Sequence, residues 1–468
     1  MITKNQLLII EEDDIFKNDR LDRKDVIENL SHLIVLTKEA LALSINADWG
    51  AGKTTFVKLW QKYLEKKHGV NSIYFSAWED DFSKEPLISI LGEINNYIAE
   101  NFEHEIETIK RFEKVKEFSG KVLKRGLPAF IKGATSGVLD IDKGLESVIG
   151  AIAEETTKEL INNYSKDKEI TQKFKDAIKA LLENIDNSKP FVIFIDELDR
   201  CRPLYAIELL ERVKHIFGID GLVFVLSIDK KQLSESIKSQ YGNIDANAYL
   251  KRFIDLEYNL TNNSVDKFCE NLYYSVYKLD KVLILKEIKQ EYREYNEFTM
   301  LKFLVKSMDL SLREIEQVFI QINIVFKTVK PRIFEIYFRL IVFFVILKLK
   351  DSELYEDLIH VRKSAEEVLT SIFKKIVKDE LYKHEYNEMK RVIKAIVLSI
   401  SKTDDEMNLI IQKQKDKLNG FAGDEYQDHL WMISILENIG KSYGLNNAID
   451  TVIKKISFAE KFNFDGIE

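Results

Sequence analysis

The chain has 468 residues, a formal net charge of −8 and a hydrophobic content of 45%, which exceeds one ordinary core and points to two or three packed units. The acidic balance excludes a globally basic nucleic-acid binder and leaves only a local basic face for such a partner. Two cysteines, Cys201 and Cys269, without pairing or metal-type spacing, exclude a disulfide scaffold and read as reduced thiols. Five prolines among abundant Leu, Ile, Lys and Glu argue for much helix. Met1-Ile2-Thr3-Lys4 carries no signal-peptide pattern, so a cytoplasmic protein is expected.

In chain order, a polar stretch around Asn18 to Arg23 precedes a helical pattern from Val26 to Leu36, with Asp22 as a candidate cap, then a second short helix and an apolar strand, Ala42 to Ile45. There follows Ala47-Asp48-Trp49-Gly50-Ala51-Gly52-Lys53-Thr54-Thr55, a G-x-x-x-x-G-K-[ST] phosphate loop with Ala47 in place of the first glycine. Gly50 and Gly52 let the backbone turn its N–H groups toward one anion, and the helix expected over Phe56 to Leu64 adds its positive end. Lys53 would reach the β- and γ-phosphates, and the Thr54 hydroxyl would ligate Mg²⁺.

A β-type run, Asn71 to Trp78, ends in the acidic Glu79-Asp80-Asp81, placed where an open α/β sheet meets its ligand, and Pro86 starts a helix to about Ala99. Residues 100–189 are too many for a simple connection and read as an inserted helical region with a soft, Gly- and Ala-rich centre, Gly126 to Ile152, kept from being a transmembrane hairpin by its charges. Pro190 to Glu197 is a buried parallel strand delivering two carboxylates to its carboxyl end. Asp196 is expected to hold the Mg²⁺ shell and Glu197 to orient and polarise the attacking water. A helix over Tyr205 to Phe217 and a second buried strand, Leu222 to Ile228, bring Ser227 and Asp229 forward as γ-phosphate sensors. One further helix ends in Tyr249 to Phe253, and Ile254 to Leu260 reads as the last strand.

The set Trp49-Gly50-Ala51-Gly52-Lys53-Thr54, Phe75-Ser76-Ala77-Trp78, Ile195-Asp196-Glu197-Leu198-Asp199-Arg200-Cys201, Ser227-Ile228-Asp229 with Gln232-Leu233, and Tyr249-Leu250-Lys251-Arg252-Phe253 resembles the KAP group of P-loop NTPases. The resemblance covers roughly residues 15–330. It implies an ATPase core of the additional-strand type shared with AAA+ and STAND proteins, ATP rather than GTP as the nucleotide, and a site completed by a neighbouring subunit. Arg252, with Lys251 as its rival, sits where a similar protein places an arginine directed at a neighbour's γ-phosphate. Arg313, starting a helix after Ser311, is a candidate lid sensor of bound nucleotide. Many relatives carry membrane helices between the two nucleotide motifs, and bacterial relatives are associated with bacteriophage exclusion.

Beyond Pro331 the pattern is helical to the end. Ile333 to Leu349 is the most membrane-like stretch, but Glu335 and Arg339 interrupt it and only Leu340 to Leu347 is continuously apolar, so a buried helix is expected. The expected architecture is α/β: a P-loop NTPase core with a parallel sheet (1–99 and 190–260), the helical insertion (100–189), a helical lid (261–330) and a C-terminal all-α domain (331–468). The expected function is Mg²⁺-dependent ATP hydrolysis by a switch or assembly ATPase. The alternative is a nucleotide-gated scaffold with negligible hydrolysis. Expected partners are further copies of the chain or another protein, through the helical domains, with peripheral membrane contact in place of a span.

Overall fold

In the computed structural model the strands Leu41–Asn46 (β1), Ser72–Ser76 (β2), Phe191–Asp196 (β3), Leu222–Ile228 (β4) and Leu256–Asn259 (β5) form one sheet in the order β2-β3-β4-β1-β5. Every pairing is parallel. β4 therefore lies between the strand leading into the glycine loop and the strand ending at Asp196, as the additional-strand resemblance implies. The structure describes residues 10–461 except 12, 84, 126–153, 216–217, 262–264, 282–296, 329–334, 377–382, 419–425, 427–428, 431, 434–435, 438–444 and 460. The soft segment Gly126 to Ile152 lies outside them.

The unbroken apolar spelling of β3 follows from burial on both faces. Phe191, Ile193 and Ile195 enter one apolar cluster, while Val192 and Phe194 enter another on the opposite face. The second cluster is closed by helices Lys24–Val35 and Lys53–Tyr63, whose Trp60 is fully buried edge-on to Phe194 and donates its indole N–H to Ser31 Oγ at 3.0 Å. The first is covered by helices Pro86–Asn101, Ile106–Arg125, Glu154–Ile185, Pro203–His215 and Lys230–Tyr241. Thr108 Oγ1 bonds Asn184 Oδ1 at 3.0 Å and Arg111 Nη1 bonds the Ala180 carbonyl at 3.0 Å, so the two long helices run antiparallel and share the core of the sheet.

Two expected helices differ. Between Val35 and Leu41 there is a turn and an irregular link, not a second short helix: few residues are available, and the Lys38 carbonyl is taken by the Gly221 N–H at 2.9 Å. The helix expected to run to Phe253 is broken at Gly242, whose φ of 75° is left-handed, and restarts as Ala246–Leu250 under the Asp245 cap.

The chain divides at residues 262 and 263 into two compact units. In the second, helix Glu335–Lys350 packs against helices Glu297–Ser307, Leu312–Thr328, Ser352–Ile359 and Leu445–Ala459. Its run from Leu340 to Leu347 is buried throughout, which accounts for the apolar sequence. Its buried Arg339 lies 3.7 Å from the equally buried Glu297. Among the described residues no helix is long and apolar enough to cross a membrane.

Candidate functional site

The glycine loop leaves the carboxyl end of β1 at Asn46 and enters helix Lys53–Tyr63 at Gly52. Gly50 (φ 78°) and Gly52 (φ 77°) are left-handed, which side-chain-bearing residues rarely adopt. No side chain caps the helix start, so its first amides lack intrahelical acceptors and face the loop's concavity. Ala47 donates its N–H to the Ile228 carbonyl at 3.2 Å, hanging the loop on β4 as well as β1. Lys53 is buried and its Nζ arches back over the loop to the carbonyls of Ala47 (2.8 Å) and Asp48 (3.3 Å). Burial pulls its amine below the ordinary value, while Asp199, Asp229 and Asp196 oppose that pull. Thr54 and Thr55 follow in the first turn, half-buried.

Register gathers the carboxylates. Ser76 of β2, Asp196 of β3 and Ser227 of β4 stand side by side, with Ile45 of β1 opposite Ser227. Asp196 is buried, accepts from the Tyr74 hydroxyl at 3.1 Å and also takes the Glu197 N–H at 3.0 Å. Burial and the nearby Asp196 push the Tyr74 phenol far above its ordinary range, so it remains a proton donor. Glu197 adopts φ 62°, a left-handed conformation that turns the chain sharply off the strand. Its Oε2 accepts from Ser76 Oγ at 3.2 Å and its Oε1 pairs with Arg200 Nη1 at 2.7 Å. Arg200 in turn lies 5.6 Å over the Trp78 ring.

Asp229 caps helix Lys230–Tyr241 through Oδ1, bonded to the N–H groups of Lys231 (3.0 Å) and Gln232 (3.3 Å), and its Oδ2 takes the Trp49 N–H at 3.1 Å. Asp48 is exposed and pairs with Lys231 Nζ at 2.9 Å. Of the acidic run after β2, Asp81 accepts the Arg202 N–H at 3.0 Å. Ser227 is fully buried, with no partner for its hydroxyl. Arg252 and Lys251 are exposed at the start of β5, where the Asp255 N–H bonds the Ala42 carbonyl. Four residues of β1, about 13 Å of strand, separate that level from the end where the loop begins. The sheet thus brings Lys53, Asp196, Glu197 and Asp229 to one end, while Arg252 lies in the turn that precedes the start of β5. Arg313 is exposed in the first turn of helix Leu312–Thr328, within the second unit.

Five contacts were not read from the sequence. Asp199 is buried and accepts the Trp49 indole N–H. Tyr74 and Ser76 hold Asp196 and Glu197. Arg23, which sequence reading leaves in the polar start, is buried against the loop. Its Nη2 donates to the Ala51 carbonyl (3.2 Å) and its Nη1 to the Thr261 carbonyl (3.2 Å). Ser72, Tyr74 and Ser76 alternate along an otherwise apolar strand, a period-two signal that could have exposed two of these residues.

The donors suit Mg²⁺ held jointly with phosphate. Thr54 offers a hydroxyl and Asp196 a buried carboxylate, and among the described residues no group of three His, Cys, Asp or Glu could hold a metal by itself.

The chain is similar to the phage T7 exclusion protein of Escherichia coli (strain K12), 22% identical over 250 residues, covering 52% of this chain and 33% of that protein. It is also similar to an uncharacterized protein of Methanocaldococcus jannaschii, 37% identical over 82 residues, covering 18% of this chain and 40% of that one. Likeness to solved structures is low. The Aeropyrum pernix ORC1 protein in complex with DNA has 14% identity, coverage of 94% of each chain and a TM-score of 0.30. C. elegans PCH-2 has 14% identity, coverage of 73% of this chain and 70% of its own, and a TM-score of 0.29. The model of the KAP family P-loop domain matches residues 23–329, more than half of the 468-residue chain, and with that match the chain belongs to the KAP family.

Proposed function

We propose that the protein binds and hydrolyses ATP with Mg²⁺ and uses the cycle as a switch. The observation that carries this reading is the convergence of Lys53, Asp196 and Glu197 at one end of the sheet, on strands separated only by β4. In the proposed reaction the loop amides and Lys53 hold the β- and γ-phosphates. Thr54 and Asp196 would hold the metal, which supplies charge neutralisation on the phosphate oxygens. Glu197 orients a water in line with the γ-phosphorus. The water oxygen forms the new P–O bond, the bond to the ADP oxygen breaks, and Glu197 accepts the water proton.

The finger is Arg252 of another copy. Arg252 lies in the turn before β5, and its proposed reach is to the γ-phosphate held by a neighbouring copy. Arg313 is the proposed lid sensor, within a lid of residues 261–330. Residues 331–468 and the insertion 100–189 are the proposed surfaces for partners. From the name of the E. coli relative we take bacteriophage exclusion as the proposed biological setting.

One observation favours the scaffold alternative. Both oxygens of Glu197 are engaged, by Ser76 and Arg200, so the base must be released before it can reach water. Mg²⁺-dependent ATP turnover across a protein concentration series, for wild type and Glu197→Gln, separates the readings. Turnover that rises with concentration and vanishes in the variant supports the ATPase. ATP binding in both without turnover in either supports the scaffold. Arg252→Ala that leaves the concentration dependence unchanged removes the finger.

A further inference from the structure

We infer that Asp199 and Asp229 clasp Trp49 between them and so set the shape of the phosphate loop, as positioning residues for nucleotide binding. The inference rests on the nucleotide reading above. Trp49 immediately precedes Gly50, and two left-handed glycines within the next three positions leave this segment with the most conformational freedom in the loop. Trp49 is held at both of its N–H groups. Its backbone N–H goes to Asp229 Oδ2 at 3.1 Å and its indole N–H goes to Asp199 Oδ2. The two carboxylates come from the ends of different strands, Asp229 after β4 and Asp199 three residues beyond β3. Fixing one residue from two strands sets both the position and the rotation of the peptide that leads into Gly50.

Packing does not explain the arrangement. The Trp49 residue is 48% exposed, so its ring anchors nothing by burial. Asp199 is 6% exposed, so its carboxylate is held almost wholly out of water. Burial of a carboxylate costs a fold free energy. What Asp199 gains in return is a charge-assisted bond to the loop and proximity to Lys53, whose charge it supports. Asp229 divides its oxygens in the same sense, one to its own helix cap and one to the loop.

The test is calorimetric titration of the full chain with Mg·ADP, which binds without turning over. The variants are Trp49→Phe, Asp199→Ala, Asp199→Asn and the double variant Trp49→Phe with Asp199→Ala, with melting temperatures recorded alongside. Trp49→Phe keeps an aromatic ring and removes the indole donor. Each of Trp49→Phe and Asp199→Ala is expected to weaken ADP binding about tenfold, as loss of one hydrogen bond to a charged group does. The double variant should bind within about threefold of the weaker single, because both changes break one bond. Asp199→Asn, whose carbonyl still accepts the indole N–H, should recover most of the loss. Lower melting temperatures with wild-type ADP affinity would reduce the contact to a structural one and overturn the clasp. Losses that multiply to about a hundredfold in the double variant would also overturn it. Wild-type protein that binds no Mg·ADP would overturn the nucleotide reading itself, whereas binding by wild type that Lys53→Ala abolishes and Trp49→Phe leaves intact would remove the clasp alone.

Discussion

The strand ends around the phosphate loop and the helix Glu335–Lys350 are both buried, and they are built in opposite ways. The helix is apolar from Leu340 to Leu347, and its one buried cation, Arg339, is answered by Glu297. The strand ends instead crowd three buried carboxylates, Asp196, Asp199 and Asp229, around one buried amine, Lys53. The first region is apolar around a single ion pair. The second keeps like charges together where they oppose folding, which is the mark of groups held for something other than the fold.

Four changes sharpen or break that contrast. The largest effect is expected in the helical unit: Arg339→Ala strands Glu297 in an apolar surround and should cost about 3–5 kcal/mol in denaturant unfolding. A loss below about 1 kcal/mol would show that the pair is not needed. Next, Lys53→Met removes the ammonium from the loop and should lower nucleotide affinity about a hundredfold. Unchanged affinity would mean that the amine serves the fold and not the ligand. Third, Tyr74→Phe removes the hydroxyl bonded to Asp196 and should weaken the Mg²⁺ dependence of nucleotide binding about tenfold, as loss of an outer-shell partner does.

The smallest effect is in pH. Burial raises the Asp199 carboxyl above its ordinary 3.8, so its charged form opposes folding. The stability present below that ordinary value is lost as pH rises through the raised one. Asp199→Asn escapes this loss, and its melting temperature relative to wild type should climb as pH rises above about 4. A flat difference would show that Asp199 is not held in the unfavourable state.

What the sequence revealed was local. Gly50, Gly52, Lys53 and Thr54 signal the loop because backbone freedom, a cation and a hydroxyl must follow one another in chain order. The apolar run ending in Asp196-Glu197 signals a strand tip for the same reason. The tie between Trp49 and Asp199 spans 150 positions, and no periodicity joins them. Arg23 was hidden for a related cause: its acceptors are backbone carbonyls, which carry no residue signature. The break at Gly242 was missed because the apolar pattern resumes beyond it, and only the left-handed glycine separates two helices from one.

Arg23 also gives the molecule a lever. With one arm on the Ala51 carbonyl and the other on Thr261, the last residue described before the boundary between units, a single rigid guanidinium links the phosphate loop to the chain's exit from its unit. Its donors lie in one plane, so the carbonyls of Ala51 and Thr261 are held by one planar group, and removing Arg23 would release both together.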